Sequence, residues 1–420
     1  MDFTGLEHII GLECVVCGER YALADTLYAC PRCGEVGALD VLYADTTQRQ
    51  PAEGPLTFWR QRDLLPVKGV PVAGLAALGG TPLIGYDALQ NLATALDVGE
   101  VCIKNDGLNL TGSLKDRASA MVVNYAVQTL GRRVIATAST GNAAAALAGC
   151  CAAVPDAEAV IFVPASAPEA KVAQMLIFGA RVILVDGDYD TAFDLCTEAC
   201  QEFGWYNRST GINPMTTEGK KTVAFEIAEQ LNWNLPDVIV VSVGDGSIIG
   251  GVHKGCRELY NLGWVDKLPR LIGVQAAGSD ALVDAWERGL TAPEMVPHPA
   301  HTVADSISSG LPRDRAKALR AVRETDGAFV RVSDDAILEA IPMLARQSGV
   351  FAEPAAAASL AGLQEARRQG LVQPDEQVLV LITGNGLKDV RSAMQTVSHQ
   401  KPAITPPTLA AVQAVAGKWS

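Results

Sequence analysis

The 420-residue chain is 49% hydrophobic, enough for two or three domains with cores of their own. Its 34 basic and 47 acidic residues give a formal charge of −13 with no long run of either sign, which argues against nonspecific binding to nucleic acid or an anionic membrane. No apolar stretch approaches the roughly 20 residues that span a bilayer, the opening lacks the charged-then-apolar layout of a secretory signal, and the ten cysteines read as reduced thiols, so a soluble cytoplasmic protein is expected.

Residues 1–45 form the first unit. Cys14-Val15-Val16-Cys17-Gly18 and Cys30-Pro31-Arg32-Cys33-Gly34 are two Cys-x-x-Cys-Gly knuckles with twelve residues between them. Each knuckle can wrap two thiolates around one metal, and its glycine permits the positive φ that such a turn needs. Four thiolates at this spacing suit a tetrahedral zinc, the competing readings being a redox dithiol or idle cysteines. Acidic residues outnumber Arg20 and Arg32 here, so a structural appendage is favoured over a nucleic-acid module.

A polar connector with prolines follows at 45–72, then Gly79-Gly80-Thr81-Pro82-Leu83. From there apolar β-branched runs at 101–104, 133–138, 159–163, 181–185, 237–243, 270–274 and 377–382 alternate with helix-length stretches. The helices are expected at 115–130, 141–152, 188–203, 217–231, 247–262 and 353–369. Such alternation predicts parallel sheets covered by helices, and the length from 70 to 400 predicts two α/β domains with a cleft between them. Residues 401–420, with three prolines, read as a loosely attached tail.

Four motifs carry the candidate chemistry. Asn109-Leu110-Thr111-Gly112-Ser113-Leu114-Lys115-Asp116-Arg117 sets one lysine at the start of a helix-forming run. Helix starts attract anions because their first amides lack intrahelical partners, and a desolvated lysine there can form a Schiff base with an aldehyde cofactor. Ser139-Thr140-Gly141-Asn142, between a strand and a helix, offers hydroxyls and free amides to a carboxylate, although such residues are also ordinary helix caps. Val243-Gly244-Asp245-Gly246-Ser247-Ile248-Ile249-Gly250-Gly251 again joins strand to helix and suits a phosphate monoester; its spacing is not the dinucleotide fingerprint, and it lacks the lysine of a nucleotide P-loop. Thr383-Gly384-Asn385-Gly386-Leu387-Lys388-Asp389 ends the last strand. In open α/β sheets ligands lie at the carboxyl ends of strands, where the last three motifs fall.

A lysine, a carboxylate loop, a phosphate cup and a strand-end hydroxyl are the parts a pyridoxal phosphate enzyme requires. With Gly-Gly-Thr-Pro-Leu (79–83), Glu-Gly-Lys-Lys-Thr (218–222) and Glu353-Pro354-Ala355, the chain resembles the fold-type II pyridoxal phosphate enzymes, and among them the threonine synthase family, from about Gly79 to Asp389. The cysteine leader resembles that of many prokaryotic members. The resemblance implies a tryptophan synthase β-like architecture of two open, mainly parallel α/β domains behind a zinc ribbon at 1–45. A large cofactor domain would comprise 46–104 and 206–400, and a small domain 105–205. It implies a cytoplasmic homodimer that converts O-phosphohomoserine and water to threonine and phosphate with pyridoxal 5′-phosphate, zinc being structural. Lys115 would be the Schiff-base lysine and the proton-transfer group. Asn142 would bind the cofactor's 3′-oxygen, the amides of Gly244, Asp245, Gly246, Ser247 and Ile248 its phosphate, and Thr383 would face its ring nitrogen. Ser139, Thr140 and Gly141 would bind the substrate carboxylate, with Thr111 and Ser113 nearby. Zinc would sit on Cys14, Cys17, Cys30 and Cys33.

The chain departs from that family at one telling place. The pattern Asn-Pro-x-Arg-x-Glu-Gly, whose arginine grips the substrate phosphate, reads Asn213-Pro214-Met215-Thr216-Thr217-Glu218-Gly219 here. A threonine cannot reproduce a bidentate guanidinium–phosphate contact. Lys104, Lys220 and Lys221 are the candidate replacements, against the bland reading of solvated lysines. Leu110 stands for a common proline, Leu114 for a phenylalanine, and Asp245 and Ser247 alter the usual phosphate loop. The alternative expectation is therefore elimination or replacement at Cβ of another small amino acid, as in a serine/threonine dehydratase, a diaminopropionate ammonia-lyase or an O-phosphoserine-using synthase.

Overall fold

The computed structural model describes residues 3–26, 28–44, 49–167, 169–400 and 402–417; the start of the expected ribbon, part of the connector and Lys401 lie outside them. Three sheets organise the chain. The largest runs Ala328–Val332, Arg270–Ala276, Val238–Ser242, Gln377–Ile382, Glu100–Asn105 and Leu83–Ile84, parallel except at the last pair. The second, all parallel, runs Arg181–Val185, Glu158–Pro164, Val134–Ala138 and Tyr206–Asn207. Strand Val238–Ser242 is buried at every position, as expected for a parallel strand covered on both faces. No helix among the described residues is long and apolar enough to cross a membrane.

The predicted elements recur within a few residues; helices such as Glu169–Ile177 and Asp334–Ser348 were not named from the sequence, and two strands need correction. Ala328–Val332 is an additional strand of the large sheet, and its five residues are too short a run to stand out beside the arginine-rich helix Arg315–Glu324. Tyr206–Asn207, assigned from sequence to the large domain, is the edge of the smaller sheet, paired with Ile135 and Ala136. The expected tail contains the helix Leu409–Ala416, in which no residue is buried.

The amino-terminal ribbon is a three-stranded antiparallel sheet of Arg20–Tyr21, Ile9–Cys14 and Leu39–Tyr43. It is bonded to the helices Met215–Gln230, Ser247–Asn261 and Arg315–Glu324 and is not a peripheral appendage. Lys317 Nζ donates to the Leu39 carbonyl at 2.8 Å, Lys254 Nζ to that of Val41 at 2.9 Å, and the Tyr43 hydroxyl to Glu218. Asp40 is buried; Lys317 and Arg320 overcome its desolvation and hold its carboxyl well below the usual range.

Helices Lys115–Gln128 and Met215–Gln230 cross in close contact, and Gly219 explains how: a Cβ there would lie 2.2 Å from the Arg117 carbonyl oxygen. Arg117 itself is fully buried at this crossing. Its Nε and Nη2 meet Asp106 at 2.6 and 2.9 Å, and its Nη1 and Nη2 meet Glu226 at 2.6 and 2.8 Å. Lys104 Nζ adds bonds to Glu226, Gln230 and the Thr81 carbonyl, and the Gly80 amide donates to Glu226. Four separate segments are thus tied to one charge cluster. Removing one partner from such a cluster leaves a buried charge uncompensated, which typically costs about 3–5 kcal/mol. Glu226→Ala is expected to lower the urea or thermal midpoint accordingly. Burial alone would raise the Glu226 pKa, but Arg117 and Lys104 hold it at about 2 against an ordinary 4.5. Its contribution is therefore complete above the ordinary value and lost as pH falls towards 2. Unfolding measured across that window should show the wild type losing stability more steeply than Glu226→Gln.

Candidate active site

The turn before Lys115 is clasped to the end of strand Gln377–Ile382. Leu114 N donates to the Thr383 carbonyl at 2.9 Å and Asn385 N to the Gly112 carbonyl at 3.0 Å, while Ser113 bridges Gly384. Asp116, one residue on, accepts the Thr111 amide and hydroxyl at 2.8 and 2.6 Å and so closes the turn from behind. Held in this way, Lys115 enters a cavity of about 320 Å³ together with residues 139–143, 244–248 and 305–308. Burial, with the charges of Arg208 and Lys388, lowers the Lys115 pKa, while Glu353 and Asp245 oppose. A lowered pKa keeps more of the amine neutral and nucleophilic.

Residues 244–248 form an anion cup. Gly246 has φ +88°, and a Cβ there would lie 2.7 Å from that of Ala318; one on Gly244 would lie 2.8 Å from the Ile307 Cα. The helix Ser247–Asn261 that follows has no side-chain cap, so its first amides remain available to a ligand. Asp245 does not compete for them, because its carboxylate accepts Ser309 Oγ and Arg313 N at 3.2 and 3.3 Å. Lys220 Nζ donates to Ser247 Oγ at the rim of the cup. Burial, then the charges of Arg208 and Lys115, bring the Lys220 pKa down to about 7. At the start of helix Asn142–Ala152, Asn142 Nδ2 donates to Glu353 Oε1 at 2.7 Å. Burial raises the Glu353 pKa despite Lys115 and Lys388. A cup shaped by Gly244 and Gly246, an uncapped helix start and a desolvated lysine around one cavity fit pyridoxal phosphate.

The cavity thus gathers Lys115, Asn142, Gly244, Asp245, Gly246, Ser247 and Ile248, with Ser139, Thr140, Gly141 and Lys220. Other expected contacts lie elsewhere. Lys104 is fully buried in the Arg117 cluster, and Lys221 is paired with Glu218 and Glu258 over the Tyr43 ring, so neither reaches a ligand. Thr111 is bound to Asp116, and Ser113 and the Thr383 carbonyl take part in the clasp behind the lysine through their backbones. Thr216 is also buried outside the cavity, its hydroxyl donating to the Asn213 carbonyl at 2.8 Å. Conversely, Thr137, Tyr189, Thr210, Ser242, Asp305, Ser306 and Ser308 line the wall without having been singled out. The polar run Asp305-Ser306-Ile307-Ser308-Ser309 after a long irregular segment was the one local signal; the others are single residues at the ends of strands or helices.

At the other end of the chain, the sulfurs of Cys14, Cys17, Cys30 and Cys33 lie within 4.8 Å of one another. Gly18 and Gly34 take φ +71° and +63°, as the knuckle turns require. Cys17 and Cys30 sulfurs are 3.8 Å apart, matching the roughly 3.8 Å between ligands placed about 2.3 Å from a tetrahedral ion. The four thiols could hold one metal ion.

Comparison with known proteins agrees with this geometry. The profile of the family described as "Pyridoxal-phosphate dependent enzyme" matches residues 75–384. The threonine synthase of Methanosarcina acetivorans is 38% identical over 97% of this chain and 99% of its own length. That of Methanocaldococcus jannaschii is 36% identical over 91% and 94%. The solved diaminopropionate ammonia lyase of Escherichia coli shares the fold, with a TM-score of 0.65 at 21% identity over 78% of this chain and 90% of that one. The chain therefore belongs to the pyridoxal-phosphate dependent enzymes and, within them, to the threonine synthase family.

Proposed function

We propose that the protein converts O-phosphohomoserine and water to threonine and phosphate. The observation that carries this reading is a single cavity holding Lys115, the 139–142 loop and the 244–248 cup in a chain 36–38% identical to threonine synthases along nearly its whole length. Pyridoxal phosphate bound there would supply an electron sink in conjugation with the Cα of the amino acid. Its aldehyde carbon would be carried by Lys115, its 3′-oxygen would meet Asn142, and its phosphate would lie on the 244–248 amides with Lys220 beside them. The Thr383 hydroxyl would face its ring nitrogen, as the family resemblance implies. Ser139, Thr140 and Gly141 would hold the substrate carboxylate through hydroxyls and helix-start amides. The Lys115 amine, once freed, would move the protons at Cα and beyond; its lowered pKa suits a group that must both take and give a proton near neutral pH. Zinc would occupy the four thiols, and the protein would act as a cytoplasmic homodimer.

Thr216 supports a second reading. The position that offers an arginine to the substrate phosphate in the family is here a buried threonine outside the cavity. An enzyme that eliminates at Cβ of an unphosphorylated amino acid has no use for that arginine. Assays of threonine, phosphate and α-keto acid over an amino-acid panel separate the two. Equal release of threonine and phosphate from O-phosphohomoserine is expected; keto acid without threonine would transfer the assignment to elimination.

Lys115→Ala should fold normally and still take up cofactor in the cup, yet lose activity by about a thousandfold or more, within the range that proton-transfer groups supply. Borohydride should trap cofactor covalently on the wild type only, and peptide mapping that found it on Lys220 would reverse the assignment. Serine at Cys14, Cys17, Cys30 or Cys33 should release one equivalent of zinc and loosen the ribbon, because four-thiolate binding is coupled to local folding. Elemental analysis of protein purified under reducing conditions tests this directly.

A further inference from the structure

Two arginines of the described residues are among the largest fully buried side chains, and their surroundings differ in kind. Arg117 is neutralised by Asp106 and Glu226. Arg208 forms no ion pair with any carboxylate among the described residues: its Nε donates to Ser119 Oγ and its Nη1 to Thr210 Oγ1, each at 3.0 Å, and its buried Nη2 has no partner. Folding does not normally retain a buried guanidinium without a counter-charge, so an anion from outside is the natural complement.

The position of Arg208 says which anion. Its amide donates to the Ala136 carbonyl at 2.7 Å, which fixes it beside the strand leading into Ser139. Ser119 belongs to the helix that begins with Lys115, and Thr210 lines the cavity, so Arg208, itself fully buried, stands directly behind the cavity wall. The charge of Arg208 acts on Lys115, Lys220 and Tyr189, which line the cavity too. The cofactor phosphate is already provided for by the 244–248 cup and Lys220, which belong to the large sheet's side of the cleft. Arg208 directly follows the edge strand of the smaller sheet and is bonded to Ala136 of the strand that leads into the 139–142 loop. We propose that Arg208 receives the phosphate of O-phosphohomoserine, supplying from the end of strand Tyr206–Asn207 the guanidinium that the family carries at the position of Thr216. The proposal rests on the functional reading above and names the residue that sets its specificity for a phosphorylated substrate.

The test uses cofactor-saturated wild type, Arg208→Lys and Arg208→Gln. Each is measured for KM and kcat with O-phosphohomoserine and for inhibition by inorganic phosphate and by homoserine, which has the carboxylate but no phosphate. Arg208→Gln is expected to raise KM about ten- to a hundredfold, the usual loss for one charge-assisted contact, and to weaken phosphate inhibition to a similar degree. Homoserine inhibition and the cofactor titration midpoint should stay unchanged, with Arg208→Lys intermediate. A merely structural role would weaken homoserine, phosphate and cofactor alike, and that result, or an unchanged KM, would overturn the proposal while leaving the functional reading intact. If the wild type forms no threonine, the functional reading fails by itself. Binding of O-phosphohomoserine and of phosphate, followed by cofactor absorbance, then decides: affinity that depends on Arg208 supports the anion site, and affinity indifferent to it removes the site. Should Arg208→Gln not fold, Arg208→Lys carries the same comparison.

Discussion

The buried cluster around Arg117 is the constraint on which the rest of the molecule depends. It joins the Gly79–Gly80 turn, strand Glu100–Asn105, the helix that starts at Lys115 and helix Met215–Gln230 through two carboxylates, one lysine and several backbone groups. A charge cluster of this kind fixes geometry because every alternative packing leaves a charge without its partner in a medium of low dielectric. Lys115 is two residues from Arg117 and Lys220 lies on the helix that carries Glu226, so the same cluster sets the distance between the two cavity lysines.

Scaffold and site are separated by how their cations are compensated. Lys104, Lys221, Lys254 and Lys317 are all buried, and each is paired with an acid of the chain. Lys115, Lys220 and Arg208 form no such pair among the described residues. The first group holds elements together. The second leaves a positive field around a cavity whose glycine cup and uncapped helix start add further donors, an arrangement suited to an anionic cofactor and an anionic substrate. The field also explains the direction of the lysine pKa values: burial and neighbouring cations both disfavour the charged amine, and that readies it for covalent and proton-transfer chemistry.

The amino-terminal ribbon takes part in the same architecture. Its third strand presents the Leu39 and Val41 carbonyls and Asp40 to Lys317, Lys254 and Arg320, on helices that flank the anion cup. Lys317 also bonds Thr217, near the start of helix Met215–Gln230. The knuckle cysteines were legible from spacing alone, but this attachment was not, because it depends on lysines more than 200 residues away in sequence.

What the sequence determined by itself was everything encoded locally. Alternating apolar runs predicted the parallel sheets, and strand–glycine–helix junctions marked the 139–142 and 244–248 loops. The Lys115 turn and the cysteine knuckles needed only their immediate neighbours to be recognised. Tertiary structure alone decided the fate of the charged side chains. Lys104, Lys220 and Lys221 look equivalent in the chain; packing sent one to Glu226, one to the Ser247 rim and one to Glu218. Arg208, which carried no motif, became a buried cation with no acid bonded to it among the described residues, while Asp106 and Glu226 were spent on Arg117. The physical reason is range. Hydrogen-bonded turns and hydrophobic periods act over a few residues, whereas the state of a buried charge depends on which distant groups the fold brings within a few ångströms of it.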